Sequence, residues 1–160
     1  MHHSFQTLSQ TTHISGIGLH SGCQVNITLK PTSQTGITFI RTDLSNFSIP
    51  AGFKHIKSTF HATVLGRDDA IISTPEHLLS ALWGMGITHC EIEIDGPEVP
   101  ILDGSAAGWC DLIKSAGIVS LQGNRPLWKI QQPLRVEDHG AMMLALPYPG
   151  LRLTVAADFD

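Results

Sequence analysis

Two adjacent residues, Glu76 and His77, offer a carboxylate and an imidazole where a helix is expected to begin. Pro75 suits the first helical position, which needs no amide donor, and Ser73 or Thr74 could cap the helix. The positive end of the helix dipole favours an ionised glutamate and a neutral histidine, the states of a base and of a metal ligand. Neighbouring side chains on a helix point about 100° apart. One base and one ligand is therefore a more natural division than chelation of one ion by both.

The same residues also fit an ordinary core helix. Leu78, Leu82 and Met85 recur at helical spacing and would face a core, and Gly84 and Gly86 offer an end to the helix. In that interpretation the carboxylate is a first-turn charge and the histidine lies on the surface. This stretch alone leaves both interpretations open.

The composition is that of a globular protein and narrows the classes of partner. Of the 160 residues, 42% are hydrophobic and 15% are charged, and the formal net charge is -4. This excludes a disordered chain. There is no stripe of lysine and arginine, which argues against nucleic acid as a partner. No apolar run approaches the length of a transmembrane segment, and no signal peptide is expected at the N-terminus.

Cysteine usage points to a reducing compartment. The three cysteines, Cys23, Cys90 and Cys110, form no C-x-x-C pair, and their number is odd. Both facts argue against a disulfide framework and against a zinc ribbon. The sequence therefore predicts a cytoplasmic protein.

Alternating and helical patterns predict a mixed α+β fold. Residues 12–22 form a glycine-punctuated loop, followed by strands at 24–30 and 37–41 that we expect to pair as a hairpin. Further strands are expected at 59–65, 70–72 and 89–95, the second leading directly into the helix. A second helix is predicted at 106–115, with Asp103 or Ser105 as its cap and Gly117 as its end.

The pattern begins again after a linker-like stretch at 123–126. Strands are predicted at 141–146 and 151–159, joined by a turn at 147–150, and they repeat the order of the opening hairpin. A lone hairpin is only marginally stable in water. We therefore expect a first α+β domain at 1–123, and at 124–160 a linker with the truncated start of a second, similar domain.

Four motifs in order give the chain a specific resemblance. They are G-I-G-L-H-S-G at 16–22, I-R-T-D-L at 40–44, T-P-E-H-L-L-S-A-L at 74–82 and E-V-P-I-L-D-G-S-A-A at 98–107. Their order and spacing resemble the N-terminal domain of the UDP-3-O-acyl-N-acetylglucosamine deacetylases. The likeness covers nearly the whole chain.

The resemblance implies a fold, an activity and a cofactor. It implies two similar α+β domains, each a β-sheet packed by two helices, with the active site between them. The expected reaction is removal of the N-acetyl group from a UDP-linked acylated glucosamine, in lipid A biosynthesis. The cofactor would be Zn²⁺, and the full-length enzyme is expected to be a cytoplasmic monomer.

The resemblance also assigns roles residue by residue. Glu76 matches the general base and His77 matches one zinc ligand. The other two ligands, in an H-x-x-x-D pattern, belong to the family's second domain, of which this sequence holds only the start. The loops that border the substrate are matched by Leu19, His20, Thr59, Phe60 and His61.

Departures from the family pattern keep other functions in view. His61, Pro75 and Gly108 stand where family members commonly carry other residues. Catalytic zinc normally takes three protein ligands, and His77 supplies one. The alternatives to an active deacetylase are a non-catalytic module that binds a sugar nucleotide and an inactive truncated product.

Overall fold

The computed structural model describes residues 4–157. Contacts within the chain divide it into two compact units, Met1–Arg125 and Pro126–Asp160. The assignment of residues 1–123 and 124–160 to two similar domains stays a prediction. The described residues contain no helix long and apolar enough to cross a lipid bilayer.

The described part of the first unit contains strands and helices in the mixture expected of an α+β fold. Its strands are β1 (Ser4–Leu8), β2 (Thr12–Ile17), β3 (Gln24–Lys30), β4 (Gly36–Arg41), β5 (Phe47–Pro50), β6 (Ile56–Ser58), β7 (Val64–Arg67), β8 (Ala70–Ser73), β9 (His89–Ile94) and β10 (Ile118–Asn124). Its α-helices are α1 (Glu76–Gly84) and α2 (Ala107–Ala116). The α+β prediction is confirmed.

A five-stranded sheet in the order β2-β3-β9-β4-β5 forms the largest layer. The prediction that β3 and β4 pair as a hairpin is wrong, because β9 lies between them, antiparallel to β3 and parallel to β4. Three side chains of β9, Cys90, Ile92 and Ile94, are buried. A strand with this apolar face gains most in the centre of a sheet, where it packs against neighbours on both sides. Residues 12–17, expected to be loop, form the edge strand β2.

Both helices contribute to one hydrophobic cluster with this sheet. In α1 the buried side chains are Leu78, Ala81 and Leu82, and in α2 they are Trp109, Ile113 and Ala116. Each fully buried large apolar side chain contributes about 1.5–3 kcal/mol. Helix α2 ends before a glycine in the left-handed region, at φ 73°, which confirms Gly117 as its end.

Smaller sheets complete the first unit. Strands β6, β7 and β8 form a three-stranded antiparallel sheet, and β8 leads into α1 as expected. The strand predicted at 59–65 is mostly wrong, because regular pairing begins only at Val64 and residues 60–62 form a bend. Strand β1 pairs antiparallel with β10.

The described part of the second unit contains one hairpin, β11 (Leu134–Asp138) with β12 (Ala141–Ala145). His139 and Gly140, both at positive φ, form its two-residue turn, as the right-handed twist of paired strands favours. The predicted strand at 151–159 is not found over residues 151–157, and the last two of its residues lie outside the described part. The expected pairing of 141–146 with 151–159 is therefore wrong, and β12 pairs with β11 instead.

Candidate functional site

Helix α1 begins with an unusual backbone. Thr74 has φ 56°, in the left-handed region, and Pro75 follows at φ -78° and ψ -9°. A left-handed conformation costs a non-glycine residue about 1–2 kcal/mol. The prediction that Ser73 or Thr74 caps the helix is wrong, because no side chain makes a capping hydrogen bond there. The hydroxyl of Thr74 instead donates to Glu98, at 3.0 Å.

Glu76, the first residue of α1, has two unlike carboxylate oxygens. Its Oε1 accepts a long hydrogen bond from the backbone N–H of Thr63, at 3.3 Å. Its Oε2 is buried and has no hydrogen-bond partner among the described residues. A buried acceptor without a hydrogen-bond partner loses its hydration with no compensation. Among the described residues, donors engage Oε1 of Glu76 and not Oε2.

His77 is partly buried in the first turn of α1, close to the loop that precedes α2. The backbone and hydroxyl of Ser105 donate to Asp103 and hold the pKa of that carboxyl below its ordinary value. The positive charge that His77 can carry acts in the same direction. The starts of the two helices, which also pack against each other, therefore lie on the same side of the unit.

The two expected substrate loops both connect to the start of α1. Leu19 and His20 are exposed, and the backbone N–H of His20 donates to Glu98, which also binds Thr74. The other loop continues to Thr63, whose carbonyl accepts from the N–H of Thr74, at 2.9 Å.

The second loop carries two exposed rings. Phe60 is 79% exposed, and its ring meets that of His61 edge to face, with 4.0 Å between centroids. His61 has φ 61°, in the left-handed region, and Thr59 is exposed beside them. Surface loops held by a rigid scaffold commonly carry binding residues, which makes this loop a candidate binding surface.

Two residues of this arrangement, Thr63 and Glu98, received no role from the sequence, and Thr74 received only that of a helix cap. Glu98 is only 1% exposed although it is charged. Its signal in the sequence is a single acidic residue between prolines and aliphatic residues at 97–102. Thr63 acts through its backbone, for which no side-chain signal exists.

The described residues contain no group of three or more His, Cys, Asp or Glu side chains placed to hold a metal ion. Cys90 is no candidate ligand, because burial raises the pKa of its thiol to about 12. The first turn of α1 thus presents one possible ligand, His77, beside one carboxylate oxygen without a partner.

Comparison with known proteins supplies the family. The model of the LpxC family, UDP-3-O-acyl N-acetylglycosamine deacetylase, matches residues 5–160. Proteins named UDP-3-O-acyl-N-acetylglucosamine deacetylase are similar along the chain. That of Solibacter usitatus is 43% identical over 154 residues, 96% of this chain and 52% of the relative. That of Myxococcus xanthus is 43% identical over 157 residues, 97% of this chain and 50% of the relative.

A protein of the same name from a third organism gives the same result. The deacetylase of Thermosynechococcus vestitus is 44% identical over 156 residues, 96% of this chain and 55% of the relative. The chain spans about half the length of the curated relatives it matches. The expected resemblance is confirmed, and the chain belongs to the UDP-3-O-acyl-N-acetylglucosamine deacetylase family.

Proposed function

We propose that this chain supplies the base and one metal ligand of a zinc-dependent deacetylase that acts on UDP-3-O-acyl-N-acetylglucosamine. The reaction would release acetate from the glucosamine nitrogen, as a step of lipid A biosynthesis in the cytoplasm. The name shared by the relatives supports this substrate class and this reaction. The full-length protein would act as a monomer.

The unpartnered Oε2 of Glu76 is the observation that carries this proposal. A general base must reach its proton within hydrogen-bond distance and must not be occupied by other donors. The Thr63 N–H holds Oε1 and leaves Oε2 free to accept a proton. In the reaction Oε2 would take the proton of the water that attacks the amide carbonyl.

His77 fits one position of a zinc site. It is the neighbour of the base in the first helical turn and is partly accessible. A bound zinc ion would act as a Lewis acid on the water and the carbonyl oxygen. The described residues offer no complete set of three ligands. The two remaining ligands are expected in the half of the relatives that this chain does not span.

The two loops are proposed to border the substrate. Leu19 is 59% exposed and Phe60 is 79% exposed, while His20, Thr59 and His61 add polar groups beside them. An apolar surface with a few polar groups suits a substrate that has both a sugar nucleotide and an acyl chain.

The experiment compares Glu76→Gln with His77→Ala in the complete gene product. Glutamine keeps the size of the side chain but cannot take a proton from water at neutral pH. Loss of a positioned base costs about 10²–10⁴-fold in rate. Glu76→Gln should therefore be slow with its zinc retained. His77→Ala should be slow and poor in zinc, because it lacks a ligand.

Deacetylation of the UDP-sugar and zinc content are measured together for both variants. Loss of zinc in Glu76→Gln with retention in His77→Ala would reverse the two roles. Binding of the UDP-sugar without turnover by the wild type would favour a non-catalytic binding module.

For the 160-residue chain alone we expect weak zinc binding that dialysis removes, since one ligand gives little affinity. Stoichiometric zinc that resists a chelator would reveal a ligand set other than the proposed one.

A further inference from the structure

The carboxylate of Glu98 is buried and saturated with hydrogen bonds. Its Oε1 accepts from the Thr74 hydroxyl and from the His20 N–H, both at 3.0 Å. Its Oε2 accepts from the Ser21 N–H at 2.6 Å and, more weakly, from the His20 N–H at 3.2 Å. Within residues 4–157 no basic side chain lies within salt-bridge distance of it.

A buried carboxylate without a cation needs other compensation for its lost hydration. Burial alone would raise the pKa of Glu98. The hydrogen bonds from Ser21, His20 and Thr74 outweigh burial and hold that pKa below its ordinary value. Glu98 is therefore ionised at neutral pH, and its bonds are charge-assisted, which makes them stronger than neutral ones.

One end of this arrangement is the start of α1. Thr74 lies two residues before Glu76 and is held in the left-handed region. Its hydroxyl binds Glu98, and its N–H binds the Thr63 carbonyl. Strained conformations persist where the surroundings determine them. Here the surroundings are these two hydrogen bonds.

The other end is the loop at 18–22. A Cβ at Gly18 would lie 2.5 Å from Oε2 of Glu98 and would also overlap Oγ of Ser21, so the loop lies directly against the carboxylate. The loop is closed by a hydrogen bond from the Gly22 N–H to the Gly18 carbonyl, at 3.0 Å. His20 lies inside this closed turn, and its backbone N–H is held by Glu98, so the position of His20 depends on that carboxylate.

We infer that Glu98 is a positioning residue that fixes the start of α1 and the 18–22 loop relative to each other, and so sets the place of Glu76 against His20. The inference rests on the proposed function. Glu98 itself is no candidate base, because donors occupy both of its oxygens, whereas Glu76 keeps one oxygen free.

Three variants and a control test the inference. Glu98→Gln places an amide NH₂ among backbone donors, and Thr74→Val removes the hydroxyl but keeps the shape of the side chain. Thr74→Ser restores the hydroxyl. Glu93→Gln is the matched control, since it makes the same chemical change where the partner is Lys30 on β3.

Hydrogen exchange in the 160-residue chain gives a readout that does not need activity. In Glu98→Gln the His20 and Ser21 amides should exchange about tenfold faster or more, because they lose bonds to a charge. Amides of β9 should keep their rates, as should every amide of Glu93→Gln. Unchanged exchange at His20 and Ser21, or an equal rise at β9, would overturn the inference.

Kinetics in the complete gene product test the consequence for the site. Glu98→Gln and Thr74→Val should lower kcat and raise KM with zinc content retained, because both the base and the loop lose their positions. Thr74→Ser should recover both values. A merely destabilised fold would lower the active fraction, and thus kcat alone, and that result contradicts the inference.

The two proposals can fail separately. A wild type that does not deacetylate the UDP-sugar refutes the proposed function. The exchange rates at His20 and Ser21 then decide by themselves whether Glu98 holds the loop.

Discussion

The two units differ in what they do with their apolar side chains. In the first unit, Trp109 of α2 is fully buried in a hydrophobic cluster that also contains buried side chains of α1 and of the five-stranded sheet. In the second unit, Trp128 is 97% exposed and Val155 is 87% exposed. The buried side chains of the cluster all lie between Leu8 and Ala116. The hydrophobic cluster therefore belongs to the first unit, which also carries the candidate site.

The largest expected difference between the units is in hydrogen exchange. Amides of β9, a strand with neighbours on both sides, should open only with global unfolding. Amides of β11 and β12 should exchange several orders of magnitude faster, because a two-stranded hairpin is marginally stable by itself. Exchange by NMR on the 160-residue chain measures both. Equal protection of the two strand sets would remove the contrast.

Tryptophan substitution sharpens the contrast in free energy. Trp109→Ala should lower the free energy of unfolding by about 3–5 kcal/mol, because it opens a large cavity. The value should fall toward the lower end, since the buried Nε1 of Trp109 has no hydrogen-bond partner to lose among the described residues. Trp128→Ala should stay within about 0.5 kcal/mol, as exposed positions do. Urea unfolding of both variants gives the comparison, and a larger loss in Trp128→Ala would contradict it.

Glycine substitution separates crowding from backbone strain. Gly18→Ala should cost about 1–3 kcal/mol, because its methyl group would overlap Glu98 and Ser21. Gly140→Ala, in the hairpin turn, meets nothing within 4 Å and should cost about 1–2 kcal/mol through its φ of 83° alone. In the first unit the loss should appear in the melting temperature. For Gly140→Ala, in the second unit, the loss should appear only as faster hydrogen exchange of β11 and β12. A lowered melting temperature for this variant would mean that the two units unfold together, which contradicts the expectation.

The smallest expected effect is on acid stability. The folded-state pKa of Glu98 is lowered, so its contribution is present above the unfolded pKa and is lost as pH falls through the folded one. Glu98→Gln lacks this contribution at every pH, whereas the wild type should lose it below about pH 4.3, the ordinary pKa of a glutamate. Unfolding free energies of both proteins from neutral pH downward should therefore converge. Parallel curves would mean that the hydrogen bonds to Glu98 do not depend on its charge.

Sequence patterns over a few neighbouring residues predicted the strands and helices whose buried faces follow from those same residues. The buried positions of β3, β9 and both helices follow from alternation and helical spacing in the sequence. The pairing of β3 with β4 could not be predicted in the same way. A short polar stretch between two strands favours a hairpin, but the insertion of β9 depends on a strand nearly fifty residues further along the chain.

The candidate site shows the same division. Pro75 and the spacing of Leu78 and Leu82 place Glu76 and His77 in the first turn of α1, as the structure has them. The cap was mispredicted because Pro75 is the residue that flanks the helix, and Thr74 lies one residue earlier, in the left-handed region, with its hydroxyl donating to Glu98. That acceptor comes from a distant loop, and no local pattern records it. Residue roles at Glu76, His77 and the two loops stay predictions.

The pairing of β1 with β10 has a consequence for how the chain is made. Its register pairs Ser4 with Asn124 and Leu8 with Ile118. The first strand therefore cannot pair until nearly all of the first unit has been synthesised. The central strand β9 likewise completes the large sheet only after residue 94 has been synthesised. Contacts so distant along the chain slow folding and leave apolar strands uncovered in the meantime. On the ribosome, β1 therefore stays unpaired until β10 has been synthesised, and β3 lacks one of its two neighbours until β9 has been synthesised. In this interval chaperones can protect the uncovered apolar strands.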